Sequence, residues 1–479
     1  MEGNSMNECC EDGSGSYDLI VIGAGSAGFS ASITAANAGK RVALVGHGTI
    51  GGTCVNVGCV PSKAMIRVAE AVHGGASAAR FPGITPCKHS VDWSAVVAAK
   101  DGLVDALRQK KYSDLLPSYQ GIDYIEQGAA QLAEGGVQVG DRLIRAERIV
   151  VATGSHSMTP AIQGIEDVPV LDSTSLLELP EKPKSLIFIG GGYVGVELAQ
   201  LMARLGVEVT LVTRSRLLPE AEPEVSQALA DAFAAEGITV LDGLSYHAVS
   251  GNAGSVTLSI ERRGEIVEIT AEKLVVAAGR RANTKDMRLP EAGVTLDPRG
   301  AIVIGEDMQT SAPGIYAAGD VTNRDQFVYM AAYGAKLAAQ NAVLEGTGRY
   351  ENAAMPWVVF SDPQVAGVGL NEGAAKEAGF DVKTSIVPLD QVPRALAARD
   401  TRGLIKLVAD RKTDRLLGGQ IMAPEGSDSI QTLAMALKFG MTTKALGETL
   451  FPYLTTVEGL KLAAQTFDMD VAKLSCCAG

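Results

Sequence analysis

Short apolar runs and glycine-rich turns alternate in the first part of the chain. The apolar run that starts at Tyr17 leads into the turn GAGSAG and then into an alanine-rich stretch that continues to Gly39. A β-branched run, a glycine turn and a run with helical spacing predict a strand, a tight loop and a helix, the opening of a βαβ unit. The pattern recurs at 185–200, followed by a helix to Gly206 and the strand VEVTLV. Two nucleotide-binding folds are therefore predicted.

Two later strand ends also match each other. The runs IVVATGS at 149–155 and LVVAAGR at 274–280 are expected to close the first and the second nucleotide unit, which indicates that one unit is inserted into the other. From about Met355 the pattern changes to strand-like runs such as PWVVF and GLIKLVAD, with helices expected at 429–439 and 457–467 and no phosphate loop. This last part is interpreted as a separate domain for assembly or substrate presentation.

Composition narrows the class of protein. The chain has 479 residues, 46% of them hydrophobic and 20% charged, which is enough for roughly two to four packed domains. Its net charge of −13 argues against a nucleic-acid partner, because an acidic surface repels phosphate backbones. No run of about 18 or more apolar residues occurs and the start of the chain is polar, so we expect a cytoplasmic protein with no membrane contact.

The glycines of both turns have the spacing of a dinucleotide-binding loop. In such a loop the first glycine allows a tight turn, the second a close approach of pyrophosphate and the third a close contact between helix and strand. The helix N terminus behind the loop favours negative charge. The residues predicted to bind a dinucleotide here are Gly23, Gly25, Ser26, Ala27 and Gly28 in the first loop and Gly190, Gly192 and Gly195 in the second.

The strands that follow the two loops end in unexpected residues. The strand RVALVGHG ends in Gly46 and His47, where an acidic residue would normally hold a ribose hydroxyl. This weakens the expected ribose contact but leaves the pyrophosphate site. The second strand ends in a segment that contains Arg214 and Arg216 and no carboxylate. Two guanidinium groups suit the 2′-phosphate of NADPH, whereas an acid would select NADH.

The run GGTCVNVGCVPSK carries the strongest chemical signal. Cys54 and Cys59 are separated by four residues and follow glycines at the expected start of a helix. They can close a disulfide, and the positive end of the helix dipole favours a thiolate. A purely structural disulfide is the alternative, although seven cysteines in a cytosolic chain do not suggest a disulfide framework. Lys63 is one helical turn further on and could stabilise a reduced flavin, with Glu197 as its partner.

These motifs together resemble those of the flavoprotein disulfide reductases. The matching runs are GAGSAG, GGTCVNVGCVPSK, VVATGS, GGGYVGVELA, VVAAGRRANT and TSAPGIYAAGD, so the resemblance covers nearly all residues from Tyr17 onward. It implies an α/β fold with two Rossmann-like domains, for FAD and NADPH, one inserted in the other, and a C-terminal α+β dimerisation domain. The implied limits are a flexible N terminus at 1–16, FAD-binding parts at 17–155 and 276–350, an NADPH-binding domain at 156–275 and a dimerisation domain at 351–479.

The resemblance also assigns cofactor contacts outside the glycine loops. In that family the residue matching Asp320 contacts the ribityl and pyrophosphate part of FAD. The other positions implied for the flavin are Thr53, Lys63, Ala130, Gly154 and Val328. A homodimer is implied as well.

Residues near the end of the chain indicate whether the substrate is a disulfide or a metal ion. Disulfide-reducing members of the family resemble one another in a terminal motif whose histidine protonates the leaving thiolate. The corresponding run FPYLTTVE at 451–458 has no histidine. Reduction of a thiolate-bound metal ion to its element needs no proton donor. Near the end of the chain, Cys476 and Cys477 supply two soft donors, and thiolates favour soft metal ions.

This ending resembles the members of the family that reduce Hg(II). The resemblance implies that the tail pair takes Hg(II) from thiol complexes and passes it to Cys54 and Cys59 of the partner subunit. Tyrosines matching Tyr193 and Tyr453 line the metal site in those members. The expected activity is therefore reduction of Hg(II) to Hg(0) with NADPH through FAD and the dithiol, a mercury-detoxifying reaction.

Two other functions fit parts of the sequence. A thiol-disulfide reductase of unknown substrate would need another proton donor near Tyr453. A metal-binding or sensing protein could use the flavoprotein fold only as a scaffold, but the intact dithiol, the lysine and the second nucleotide loop argue against it. Cys9 and Cys10 are either a vestigial metal-capturing pair or incidental cysteines.

Overall fold

A computed structural model describes residues 16–126, 128–344 and 346–469. The strands are β1 Leu19–Ile22, β2 Val42–Gly46, β3 Ile122–Glu126, β4 Ala130–Ala133, β5 Gly136–Val139, β6 Arg142–Arg145, β7 Ile149–Val151, β8 Ser155–Ser157, β9 Val170–Leu171, β10 Ser185–Ile189, β11 Glu208–Val212, β12 Thr239–Leu241, β13 Leu244–Asn252, β14 Ser255–Arg262, β15 Glu265–Ala271, β16 Lys273–Val276, β17 Arg280–Ala282, β18 Ile315–Ala317, β19 Pro356–Val359, β20 Gln364–Gly369, β21 Val382–Pro388, β22 Leu404–Asp410 and β23 Leu416–Ala423.

Thirteen α-helices lie in the described residues. They are α1 Ser26–Asn37, α2 Gly52–Asn56, α3 Cys59–Ser77, α4 Trp93–Arg108, α5 Ser173–Leu177, α6 Tyr193–Arg204, α7 Pro223–Ala235, α8 Val328–Val343, α9 Glu372–Glu377, α10 Pro393–Ala398, α11 Gly426–Lys438, α12 Thr443–Glu448 and α13 Glu458–Gln465.

The described residues form two compact units. The first contains residues 16–59 together with Leu103–His156 and Arg280–Tyr350. The second contains Val60–Gly102, Ser157–Gly279 and residues 351–469. Units defined by compactness are not cofactor domains as such, so the domain limits given above stay predictions.

The first unit is built on a parallel sheet with strand order β18-β7-β1-β2-β3. All four residues of β1 and all five of β2 are buried, as expected for strands covered on both faces. Helix α1 packs against α8. An antiparallel sheet, β4-β5-β6, adds side chains such as Leu132 and Val137 to the same core cluster as Ile20.

The second unit repeats this plan in its own parallel sheet. The strand order is β12-β11-β10-β16-β9, so β10 and β16 lie side by side as β1 and β7 do. The antiparallel sheet β13-β14-β15 corresponds to β4-β5-β6. In both sheets the glycine loop follows the central strand, next to the point where the strand order reverses, where open α/β sheets bind ligands.

The last part of the second unit is an antiparallel sheet with strand order β19-β20-β23-β22-β21. Helices α11 and α13 pack on it, and Leu433, Ile421 and Leu460 belong to one buried cluster. The helices expected at 429–439 and 457–467 are present within a few residues. Among the described residues, no helix has both the length and the apolar character needed to span a bilayer.

Candidate active site

The glycine loop of the first unit is closed by backbone contacts that only glycine permits. Gly23 has a φ of +116°, and a Cβ there would lie 2.2 Å from the carbonyl oxygen of Ala152. A Cβ at Gly28 would lie 1.7 Å from the carbonyl oxygen of Gly23. At Gly25 the nearest atom, the Cα of Gly52, would be 3.4 Å away. The first and third glycines are thus needed for the turn, while the second leaves the backbone accessible to a pyrophosphate.

The loop of the second unit has the same geometry. Gly190 has a φ of +118°, and a Cβ there would lie 2.3 Å from the carbonyl oxygen of Ala277. A Cβ at Gly195 would lie 2.0 Å from the carbonyl oxygen of Gly190, whereas one at Gly192 would meet nothing within 4 Å. Two loops with this shape at helix N termini fit two dinucleotide cofactors, one in each unit.

Most of the other positions implied for FAD are at the ends of secondary-structure elements in the first unit. They are Ser26 and Ala27 at the start of α1, Thr53 in α2, Ala130 at the start of β4, Gly154 between β7 and β8, and Val328 at the start of α8. Their contacts with a flavin stay predictions.

Asp320 is held by two side chains that the sequence reasoning did not identify. Ser155 Oγ donates a hydrogen bond to Asp320 Oδ2 at 2.6 Å, and Arg280 Nε donates to Ser155 Oγ at 2.7 Å. Arg280 Nε lies 3.8 Å from Asp320 Oδ2. The carboxylate is therefore oriented from one side by a serine backed by a cation. Both residues end the matching runs IVVATGS and LVVAAGR, a position that could have indicated them.

The two cysteines of the motif lie on successive helices. Cys54 is half-buried within α2, and Cys59 is exposed as the first residue of the 19-residue helix α3. A Cβ at Gly58 would lie only 3.0 Å from the carbonyl oxygen of Thr53, so the chain turns back closely on α2 between the two thiols. The N terminus of a long helix favours negative charge on Cys59, as a thiolate nucleophile or metal ligand requires.

Asn56 fixes the turn before the second cysteine. Its side-chain amide donates to the carbonyl oxygens of Ile50 and Gly52, both at 2.9 Å. Its side-chain oxygen accepts from Arg108 Nη1 at 3.0 Å. Asn56 lies inside the quoted motif, but Arg108 is 52 residues away in sequence and no local signal indicates it.

Lys63 and Glu197, proposed as partners from the sequence, are in contact. Lys63 Nζ donates to Glu197 Oε2 at 2.5 Å, and the glutamate side chain is only 6% exposed. The backbone N–H of Phe360 donates to Glu197 Oε1 at 2.9 Å, and Lys63 Nζ lies 5.1 Å from the centre of the Phe360 ring. Both carboxylate oxygens are therefore used, and the ammonium group is held between the carboxylate and the aromatic ring.

A second side chain of α6 holds the same segment as Glu197. Gln200 is 3% exposed; its amide nitrogen donates to the carbonyl oxygen of Asp362 at 2.8 Å, and its amide oxygen accepts from the Asp362 N–H at 2.8 Å. Because Gln200 lies one helical turn after Glu197, α6 holds residues 360–362 at two points. The sequence reasoning missed Phe360 and Gln200, since their roles depend on packing between distant segments.

The two tyrosines implied for the metal site have different surroundings. Tyr193 begins α6 and stacks on Trp357 with 5.6 Å between ring centroids. Burial raises the pKa of the Tyr193 hydroxyl far above its ordinary value, and the charge of Glu220 adds to this. Tyr453 lies before α13 and is 54% exposed. Tyr193 is thus a neutral group at all ordinary pH values, and Tyr453 is open to solvent or to another subunit.

Arg214 and Arg216 follow β11, and their side chains are used differently. Arg216 Nη2 donates to the carbonyl oxygens of Pro219 and Ala221 at 2.7 and 2.9 Å, and its Nε donates to Ser226 Oγ at 3.2 Å. Arg214 is exposed, as Arg216 is, but its side chain makes no hydrogen bond with the part of the chain that the structure describes; its charge acts on Tyr246. Arg214 is therefore the more available of the two for a phosphate group.

Four of the cysteines considered above fall outside the described residues. These are Cys9 and Cys10 near the start and Cys476 and Cys477 near the end. Within residues 16–126, 128–344 and 346–469, no group of three or more histidine, cysteine, aspartate or glutamate side chains is arranged to hold a metal ion.

The family of the chain follows from sequence comparison. Residues 17–346 match the pyridine nucleotide-disulphide oxidoreductase family, and residues 355–464 match the dimerisation domain of that family. The HOCl-induced flavoprotein disulfide reductase RclA from Escherichia coli, solved as a Cu(II) complex, has a similar fold: the TM-score is 0.82 at 29% identity, over 94% of this chain and 99% of that one. The chain belongs to the pyridine nucleotide-disulphide oxidoreductase family.

Three sequence relatives carry the name mercuric reductase. The chain is 44% identical to a mercuric reductase of Staphylococcus aureus over 97% of its own length and 85% of that protein. It is 44% identical to a mercuric reductase of Streptomyces lividans over 97% of its length and 98% of that protein, and 45% identical to one of Bacillus cereus over 98% and 74%.

These comparisons settle several predictions made from the sequence. The fold class, with two Rossmann-like domains and a C-terminal dimerisation domain, is confirmed. The class of enzyme, an oxidoreductase that uses FAD and NADPH, is confirmed. The resemblance to Hg(II)-reducing members is confirmed by the relatives. The individual site residues stay predictions, although the structure gives each described one the position reported above.

Proposed function

We propose that the chain reduces Hg(II) to Hg(0) with electrons from NADPH. The observation that carries this proposal is the 44% identity to mercuric reductases over nearly the whole chain. The absence of a histidine from the run at 451–458 supports it, because release of an organic thiolate would need a proton donor there.

Cys54 and Cys59 are the residues that bind the metal in the reaction. Two thiolates supply a pair of soft ligands, which suits Hg(II) better than harder competing ions. NADPH gives two electrons as a hydride and becomes NADP⁺, and FAD, when bound, carries these two electrons to the dithiol site. The thiolate-bound ion accepts both electrons and leaves as Hg(0), which has little affinity for sulfur. One NADPH opens the Cys54–Cys59 disulfide, and each Hg(II) that is then reduced consumes one further NADPH.

The remaining residues stabilise the reduced flavin, line the metal site or deliver Hg(II). Lys63 is held by Glu197, and its positive charge offsets the negative charge that two electrons add to the flavin. Tyr193 and Tyr453 line the metal site. Cys476 and Cys477 take Hg(II) from thiol complexes in the cytoplasm and pass it to the inner pair of the partner subunit in a homodimer, whose assembly the dimerisation domain supports.

The test is consumption of NADPH by the flavin-loaded enzyme with Hg(II) in excess small thiol, compared with glutathione disulfide. We expect turnover with Hg(II) and none with the disulfide. Cys54→Ala and Cys59→Ala should each remove more than about 99% of the metal turnover, because one thiolate cannot hold the ion between two soft ligands, while flavin absorbance is kept. Cys87→Ala, at an exposed cysteine outside the motif, is the matched control and should behave as wild type.

Two results would contradict the proposal. Turnover with glutathione disulfide and not with Hg(II) would make the chain a thiol-disulfide reductase. Metal turnover retained in both single variants would show that the Cys54–Cys59 pair is structural.

A further inference from the structure

The adenosine ribose of FAD lacks its usual acidic partner in this chain. In dinucleotide-binding βαβ units a carboxylate at the end of the second strand accepts hydrogen bonds from the ribose hydroxyls. Here that strand is β2, and it ends at Gly46. Gly46 is buried, and its φ is not in the left-handed region, so the backbone does not require glycine at this position. The reason for the glycine must lie in what surrounds it.

A tyrosine from the neighbouring strand fills the place of the missing side chain. A Cβ at Gly46 would lie 2.5 Å from the hydroxyl oxygen of Tyr124 and 2.7 Å from Cε2 of its ring. Tyr124 belongs to β3, which pairs with β2 in parallel. Its hydroxyl is buried and has no hydrogen-bond partner among the described residues. Any longer residue at 46 would therefore collide with the tyrosine, and a glutamate could not extend from this position.

The same strand carries a carboxylate at the corresponding level of the sheet. Glu126 is the last residue of β3 and pairs directly with Gly46 in the register. Paired residues of parallel strands point to the same face, and so do residues two apart on one strand, so Tyr124, Glu126 and the position of the missing Cβ share one face. Glu126 is exposed. Burial raises the pKa of Tyr124, and the charge of Glu126 raises it further, which indicates that the carboxylate is near the phenol.

We propose that Glu126 replaces the missing acid and accepts the hydrogen bonds of the adenosine ribose of FAD. The carboxylate has moved one strand outward, about 4.8 Å in a sheet, and the ring of Tyr124 occupies the vacated volume. The proposal rests on FAD as the cofactor and not on the identity of the substrate, so it can fail while the reduction of Hg(II) stands.

The first test measures flavin release from the holoenzyme by the rise of flavin fluorescence on dilution. The enzyme is loaded either with FAD or with an FAD analogue that lacks both adenosine-ribose hydroxyls. In wild type, removal of the hydroxyls should speed release about tenfold, the size of one hydrogen bond to a charged group. In Glu126→Gln the two ligands should leave at rates within about twofold of each other, since the charged acceptor is gone. Glu134→Gln, an exposed carboxylate in the β4–β5 turn, is the matched control and should behave as wild type.

The second test moves the acid back to the second strand. Gly46→Glu alone should release FAD faster than wild type, because its side chain collides with Tyr124. Gly46→Glu combined with Tyr124→Val and Glu126→Gln should again release the hydroxyl-free analogue about tenfold faster than FAD. The proposal is overturned if removal of the hydroxyls changes the release rate by the same factor in wild type and in Glu126→Gln. It is also overturned if the triple variant, with its fold intact by circular dichroism, releases FAD and the analogue at the same rate.

Discussion

Two arginines that follow the same strand differ in what their side chains already bind. The sequence predicts that Arg214 and Arg216 both bind the 2′-phosphate of NADPH. Both arginines are exposed, but Arg216 donates to two carbonyl oxygens of its own loop and to Ser226 of α7, whereas Arg214 makes no side-chain hydrogen bond among the described residues. Arg216 therefore shapes the loop, and Arg214 is the residue expected to contact the phosphate.

Replacement of each arginine should separate these roles. Arg214→Met should lower kcat/KM for NADPH by about 10- to 100-fold, the worth of a charge-assisted hydrogen bond, and change that for NADH little. Arg216→Met should lower the thermal midpoint, and it should change kcat/KM for NADPH and for NADH by the same factor. Steady-state kinetics with both cofactors and a thermal melt of each variant measure this. An unchanged preference for NADPH in Arg214→Met would refute the assignment.

Single residues also show where sequence reasoning stops. The departure at Gly46 was visible in the sequence, because an acid is expected after the second strand. Its explanation was not, since Tyr124 and Glu126 come from a strand some 80 residues later and only the register of β2 with β3 brings them together. Glu197 was found as the partner of Lys63 because both lie at known places in matching motifs. Phe360, which uses the other oxygen of Glu197, has no such marker.

At the scale of single elements, strand β22 contains a buried lysine, and nothing in the sequence of the strand indicates that it is buried. The run LIKLVAD was predicted as a strand, but all seven of its residues are buried, including Lys406, which is 1% exposed. Lys406 Nζ donates to Glu222, Glu224 and Glu372 at 2.9 to 3.1 Å. Burial alone would lower the pKa of Lys406, but the hydrogen bonds to these carboxylates raise it overall. The lysine ties β22 to the start of α7 and to α9.

Loss of this cation should destabilise the enzyme strongly. In Lys406→Met the carboxylate of Glu222, only 3% exposed, would stay buried without its partner, which costs about 3–5 kcal/mol. Glu222→Gln together with Lys406→Met should recover part of the loss. Lys444→Met is the matched control, because its ion pair with Glu448 is exposed and 3.9 Å long. Thermal midpoints of the three variants measure this, and equal midpoints for Lys406→Met and Lys444→Met would contradict it.

The same cluster makes the contribution of Glu372, at the start of α9, to stability depend on pH. Hydrogen bonds from Lys376 and Lys406 lower the pKa of Glu372 to about 2. Because the folded value lies below the ordinary one of about 4.5, this contribution to stability is complete above pH 4.5 and is lost as the pH falls towards 2. Lys376→Met removes one of the two donors and leaves the contacts of Lys406 intact, so the thermal midpoint of this variant should depend less on pH over that interval than that of wild type.

For the molecule as a whole, the repeated motif predicted more than the local pattern of any one segment. Two glycine loops and two matching strand ends were enough to predict two Rossmann-like domains. The inclusion of residues 60–102 in the second compact unit was not predictable, because it depends on the packing of Met65 and Trp93 in the same core cluster as Leu198. Local periodicity shows that such residues belong to a core, but not to which one.

Delivery of the metal to the assembled enzyme should depend on the tail cysteines Cys476 and Cys477. Cys476→Ala with Cys477→Ala leaves Cys54, Cys59 and both glycine loops unchanged, so NADPH should still reduce the inner disulfide at the wild-type rate. Donors on a short tether act at an effective concentration of about millimolar, so free thiol below that level should hardly reveal their loss. With about 10 mM competing thiol, turnover of Hg(II) should fall about tenfold below wild type, because the ion must then leave its thiol ligands without the tail. Cys87→Ala, at an exposed cysteine outside the motif and the tail, is the control and should show no such defect. Rapid-reaction absorbance measures the first half-reaction and NADPH consumption at rising thiol measures turnover. If the tail variant and wild type coincide at every thiol concentration, the tail cysteines do not deliver the metal.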